Sequence, residues 1–193
     1  MYALPAAPPP APRRQLFVGT AVACAAGTTM FGGMIAIYLR FRQQALSVAG
    51  AEWKPADVKV PDVPTNVMLL AFLFIGIFAQ WAVYAARRGH RSNTALALGL
   101  VALLGIAVIN SQAFVYSQMG AALRDGTYAT MFYALTGTFV ALMIVGLAFT
   151  LVTALRYLGG RTTEHEIISA HAMYWYFLGA MYVALWFVVY ITK

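Results

Sequence analysis

Residues 128–155 read YATMFYALTGTFVALMIVGLAFTLVTAL, without one Asp, Glu, Lys, Arg or His. A helix needs about 20 such residues to cross roughly 30 Å of hydrocarbon, so this stretch is long enough to span a bilayer. Four further runs share its character, at 16–39, 67–86, 94–116 and 167–192. None of the chain's 6 carboxylates falls inside any of the five. The fold class that follows is all-α, a polytopic transmembrane helix bundle of five spans. The region 15–193 forms one transmembrane domain, and the Pro/Ala-rich head at 1–14 is expected to be a disordered cytoplasmic tail.

Composition agrees. The chain has 193 residues, 62% hydrophobic and 10% charged, with mean hydropathy +0.73. A soluble domain carries about a quarter charged residues. The net charge of +7 does not point to nucleic acid, because Lys and Arg sit at span ends and in loops rather than along one face. Orientation follows from the same residues. The short turn Arg87-Arg88-Gly89-His90-Arg91 holds three arginines and belongs in the cytoplasm. The opposite loop, 40–66, is long and carries Glu52, Asp57 and Asp62. The N-terminus is therefore expected inside and the C-terminus outside. Arg13-Arg14-Gln15-Leu16-Phe17 has the form of a twin-arginine signal, and Ala21-Val22-Ala23-Cys24 that of a lipidation box. Apolar sequence continues past Cys24 to Leu39, as in a retained span rather than a cleaved signal.

The spans offer packing chemistry and little else. A lone cysteine makes no disulfide framework and no cysteine-rich metal centre, and Cys24 reads as a small packing residue. Only His171 lies within a span; His90 and Glu164-His165-Glu166 fall in expected loops, where solvated side chains are the reading. Ala25, Thr29 and Gly33 recur every four residues beside Gly32, and Gly137 with Ala141 repeats the spacing. Small residues so spaced let helix backbones approach closely, which marks them as helix-packing or partner-interface positions. Gln80, Asn110 and Gln112 are polar at membrane depth and are expected to face other helices. Tyr182, Trp186 and Tyr190 form an aromatic stripe, read either as a partner seam or as anchors at the outer interface.

Beyond composition, specific strings carry a resemblance. Asp125-Gly126-Thr127-Tyr128, Phe132-Tyr133-Ala134-Leu135-Thr136-Gly137 and Gly146 follow one another on one long helix. Leu104-Gly105 with Gln112-Ala113 and Tyr116 precede them, and Tyr174-Trp175 with Phe177 come after. With Met30-Phe31, Tyr38 and Asp62-Val63-Pro64, these match in order across residues 16–190. The pattern resembles subunit III of the haem-copper (cytochrome c) oxidases, in the short five-helix bacterial form. The resemblance implies a non-catalytic subunit of a terminal oxidase of aerobic respiration, multi-pass in a prokaryotic plasma membrane. It implies partners, oxidase subunits I and II, with haem and copper held there and none in this chain. It implies bound phospholipid too.

The departures from the pattern are informative. Gly27 and Val115 stand where the family has intramembrane glutamates, Phe139 and Leu142 where it has histidines, and Tyr176 and Gly179 where it has a His and an Asp. What the resemblance leaves is a scaffold role with no active site in this chain. Two alternatives differ in class: a subunit-III-like accessory protein of a nitric oxide reductase, and a small stand-alone transporter. The latter calls for an intramembrane charge or helix-breaking prolines, and all 8 prolines lie at or before Pro64.

Overall fold

A computed structural model describes residues 14–50, 52–161 and 165–192. The tail expected over 1–14 lies outside the described residues except for Arg14, and so does Glu164. Five helices appear: α1 (Gln15–Leu46), α2 (Asp62–Arg87), α3 (Arg91–Gln118), α4 (Thr127–Leu158) and α5 (His165–Leu185), which continues as a wider turn over Trp186–Ile191. Each is long and apolar enough to cross a membrane. Among the described residues there is no strand.

The helices outrun the apolar stretches that predict them. α1 and α4 each have 32 residues, about 48 Å, so their ends project beyond the hydrocarbon. α1 carries Arg40 and Arg42 inside its helix, because nothing in Arg or Gln stops one. The loop expected over 40–66 is consequently shorter, at 47–61. α2 starts directly after Pro61, with Asp62 in its first turn and Pro64 where a missing N–H is harmless. Gly89 supplies the positive φ of +73° that lets α2 turn into α3. The His90 N–H then donates to the Ala85 carbonyl at 3.0 Å, and the Arg91 guanidinium reaches the Leu158 carbonyl at the foot of α4.

α5 is the central helix: it packs on α1, α2 and α4, and it is the most buried of the five spans. α2 and α3 form the most extensive pair. α1 is peripheral. It touches the bundle along one heptad stripe, Cys24, Phe31 and Tyr38, and leaves most of its circumference open.

One end of the bundle is closed by a loop that span counting does not reveal. Trp53 is buried, with its ring edge-on to Tyr38 at 5.3 Å and to Tyr128 at 5.6 Å. Its Nε1–H donates to the Tyr38 hydroxyl at 2.9 Å. Val58 is buried beside it, and the Lys59 N–H donates to the Met119 carbonyl at 3.2 Å. This short loop thereby joins the end of α1 to the start of α4.

Candidate functional site

Two of the buried polar side chains, Thr150 and His171, meet at Trp175. Its Nε1–H is shared between Thr150 Oγ1 at 3.0 Å and His171 Nε2 at 2.9 Å. Thr150 in turn donates to the Gly146 carbonyl at 2.9 Å. Thr150 Oγ1 also lies 2.8 Å from His171 Nε2, and Nδ1 of that ring has no partner among the described residues. Room for the indole comes from two glycines. A Cβ built on Gly105 would stand 2.9 Å from the Trp175 ring, and one on Gly146 would stand 3.1 Å from Tyr174 and 3.4 Å from Trp175. The resemblance strings Leu104-Gly105, Gly146 and Tyr174-Trp175 are thus one three-helix joint. His171 and Thr150 belong to it, and no spacing rule finds them.

The aromatic stripe bonds to its own bundle: Tyr182 and Tyr190 are buried and Trp186 is half-buried. Tyr182 donates to the Thr65 carbonyl at 2.9 Å, Trp186 to Asn66 Oδ1 at 2.9 Å, and Tyr190 to Gln112 Oε1 at 3.0 Å. These bonds fasten α5 and its extension to α2 and α3. The wider turn takes part. The Thr192 N–H reaches back five residues to the Phe187 carbonyl, and the extra residue per turn buries Val189 and Tyr190 side by side.

The other motif residues cluster at the Trp53 end. Asp125 Oδ2 accepts from the Ala122 N–H at 2.6 Å, closing the loop before α4. Gly126 takes φ +103°, which only glycine adopts freely, and the helix begins on the next residue. Tyr128 and Phe132 are buried, and Thr136 Oγ1 accepts from the Tyr116 hydroxyl at 2.9 Å. Phe177 lies against Gly27, whose Cβ would come within 2.7 Å of the ring, so Gly27 seats α1 on α5. Phe139, one of the departures, packs against Phe31, Phe72 and Tyr182 at 5.4–6.3 Å. At the opposite end Glu166 Oε1 accepts from the Phe17 N–H at 2.9 Å, placing a carboxylate on the first turn of α1. Among the described residues no three His, Cys, Asp or Glu side chains come close enough to hold a metal.

Other expected contact residues point away from the chain. Ala25, Thr29 and Gly33 are exposed, and nothing lies within 4 Å of a Cβ built on Gly33. Gly137 likewise has open space, and Ala141 is exposed. Gly137 itself is half-buried. Gln112 faces inward and bonds α5, and Gln80, though exposed, also meets α5 through Tyr176, whereas Asn110 is exposed. An amide moved into hydrocarbon without a hydrogen bond costs about 4–8 kcal/mol. Gln80 has partial relief: its Oε1 accepts from the Tyr176 hydroxyl at 3.3 Å. The two residues border a groove of about 770 Å³ between α2 and α5, floored by Gly76 and Gly179.

Among the described residues, the hydrogen bonds around Trp175, Tyr182 and Tyr190 join helices to one another. Known proteins show the same sequence pattern. The family described as Cytochrome c oxidase subunit III matches over residues 13–193. A "Probable cytochrome c oxidase subunit 3" of Rickettsia felis is 33% identical over 149 residues, covering 72% of this chain and 52% of that protein. A "Cytochrome c oxidase subunit 3" of Drosophila yakuba is 27% identical over 167 residues, covering 81% and 62%. That of Struthio camelus is 30% identical over 146 residues, covering 73% and 56%. The chain thus spans about half to three-fifths of the length of the curated relatives it matches.

Proposed function

This chain belongs to the cytochrome c oxidase subunit III family, and from that premise we propose that it is the non-catalytic subunit III of a haem-copper terminal oxidase. In this reading it sits in a bacterial plasma membrane, N-terminus inside and C-terminus outside, beside subunits I and II. Haem and copper belong to those partners, and phospholipid fills part of the outer surface. The observation that carries the reading is the family match over nearly the whole chain, taken with the way its motif residues are used. Gly105, Gly146, Trp175, Tyr128 and Thr136 all serve helix packing. Buried Thr150, His171 and Gln112 make hydrogen bonds that join helices. Meanwhile Ala25, Thr29 and Gly33 on α1 and Ala141 on α4 are exposed, and Gly137 is half-buried, which leaves these small residues available to a neighbour. A subunit that steadies another's redox centres needs these features and no cofactor ligand of its own.

A tagged form purified in mild detergent tests the reading. Haem a bands in the reduced-minus-oxidised spectrum, with a large multi-span partner identified by mass spectrometry, are expected. Haem b with a reductase partner, or a colourless eluate without one, would sink it.

A further inference from the structure

α1 begins without a cap of its own. Arg14 at its N-cap makes no side-chain hydrogen bond to the helix, and the first turn holds no acidic residue. The first N–H groups of a helix have no partner within it. At Phe17 the partner comes from the last span: Glu166 Oε1, on the first turn of α5, accepts that N–H at 2.9 Å. The carboxylate there also faces the positive end of the α1 dipole. Behind this bond α1 is poorly seated. From Gln15 to Ala23 no residue is buried. A cleft of about 310 Å³ lies beneath the stretch, lined by Gln15, Gly19, Thr20 and Ala23 on α1 and by Phe149 and Tyr174 opposite. A Cβ built on Gly19 would meet nothing within 4 Å. Close contact starts at Cys24, which is buried, and at Gly27, where the Phe177 ring leaves no room for a Cβ. Farther along, Phe31 and Tyr38 are buried, and the Tyr38 hydroxyl accepts from Trp53 at 2.9 Å. One end of α1 is thus packed in place, while the other overhangs a cleft with its tip tied to Glu166.

We propose that residues 15–23 of α1 form a latched arm, which pivots at Gly27 between a closed position, fastened by the Phe17–Glu166 bond, and an open one in which the cleft beneath it widens. The closed arm gains a hydrogen bond to a charged group, roughly twice as strong as a neutral one, and little burial besides. One carboxylate therefore sets the balance between the two positions. Without it the arm is a helix end with few buried contacts, the kind of element that opens at small free-energy cost. Glu166 belongs to α5, so the first span is latched only when the last one is in place, 149 residues later. The inference stands whichever complex the chain serves.

The test is hydrogen–deuterium exchange of the full chain in lipid nanodiscs, wild type against Glu166→Ala. Exchange over residues 15–23 is expected to become about tenfold faster, as loss of one hydrogen bond to a charged group implies, with residues 40–46 at the far end of the same helix unchanged. Unaltered exchange over 15–23 would show that other contacts hold the arm, and an equal rise over 40–46 would show that α1 loosens as a whole; either overturns the proposal. A second measurement uses the cleft. In the Glu166→Ala background, Gly19→Leu sets a side chain against Phe149 and Tyr174 and should slow exchange over 15–23 again. Gly19→Ala raises helix propensity by about as much without filling the cleft, and should slow it less. Equal slowing by the two would mean that the segment frays as an ordinary helix end rather than closing onto the cleft, and the latch would be refuted.

Discussion

Gly105→Val probes the joint around Trp175 most directly. A Cβ at 105 would stand 2.9 Å from both the indole of Trp175 and Leu147 Cδ2, against about 3.5–4.0 Å for relaxed carbon contacts. Leu147 can turn aside. Trp175 cannot, because its Nε1–H is held by Thr150 and His171. Overpacking a well-filled interior costs about 1–3 kcal/mol. Gly99 supplies the control on the same helix: it is exposed, with nothing within 4 Å of its built Cβ. Gly99→Val changes helix propensity by the same few tenths of a kcal/mol, so the difference between the variants isolates packing. For a chain of this size, about 1–3 kcal/mol corresponds to a midpoint lower by about 2–12 °C. The assay is thermal unfolding of the purified protein in mild detergent, followed by far-UV circular dichroism. Adding Trp175→Phe removes the ring atoms that the new side chain at position 105 would strike. The double variant should therefore recover part of the loss, with a coupling of about 0.5–3 kcal/mol. Equal midpoints for Gly105→Val and Gly99→Val, or strict additivity with Trp175→Phe, would refute the wedge.

Three other outcomes follow from the same geometry. His171→Phe removes one of the two acceptors of the buried Trp175 N–H and should lower stability by about 1–3 kcal/mol while leaving the haem content of the purified complex unchanged; lost haem would show that His171 does more than hold Trp175. Tyr190→Phe leaves Gln112 without its hydroxyl donor and should destabilise by about 0.5–1.5 kcal/mol, read as a lower melting midpoint; no change would mean that the bond between α3 and the end of α5 is not made in the membrane. Trp53→Ala should free the 47–61 loop from Tyr38 and Tyr128, seen as faster hydrogen exchange there with the helices unaffected; unaltered protection would mean that other contacts hold the loop.

The five helices were legible because hydrophobic length alone decides a membrane span. Their ends were not. Arg40 and Arg42 look like the stop of α1, yet the helix continues to Leu46, since charged residues are good helix formers once outside the hydrocarbon. Spacing singled out Gly33 and Gly137, which have open space, whereas the tightly packed Gly105 and Gly146 stood only in the resemblance strings, and Thr150, His171 and Glu166 in neither. Their partners lie on other helices, at separations of 21 residues for Thr150 with His171 and 149 for Phe17 with Glu166, where no local pattern operates. The stripe Tyr182, Trp186 and Tyr190 shows why a stripe on one helix does not name its partner. The same spacing fits an outer seam, and only the placement of Thr65, Asn66 and Gln112 turns it inward.

Periodicity tells which residues share a face; it does not tell which way that face looks. In a soluble protein, polarity resolves the ambiguity, because the polar face meets water. In a bilayer the surroundings are as apolar as the interior, so Gly33 and Gly105 look alike in sequence. The space around each separates them: Gly105 has no room for a methyl group, and Gly33 has room for a helix. The same measure sorts the polar residues. Gln112 is buried against Tyr190, whereas Gln80 lies at an open groove with its amide hydrogens unused. Thr150, His171 and Gln112 make hydrogen bonds that join the chain's own helices. Its surface, by contrast, carries the small residues Ala25, Thr29 and Gly33 and the exposed amides of Gln80 and Asn110.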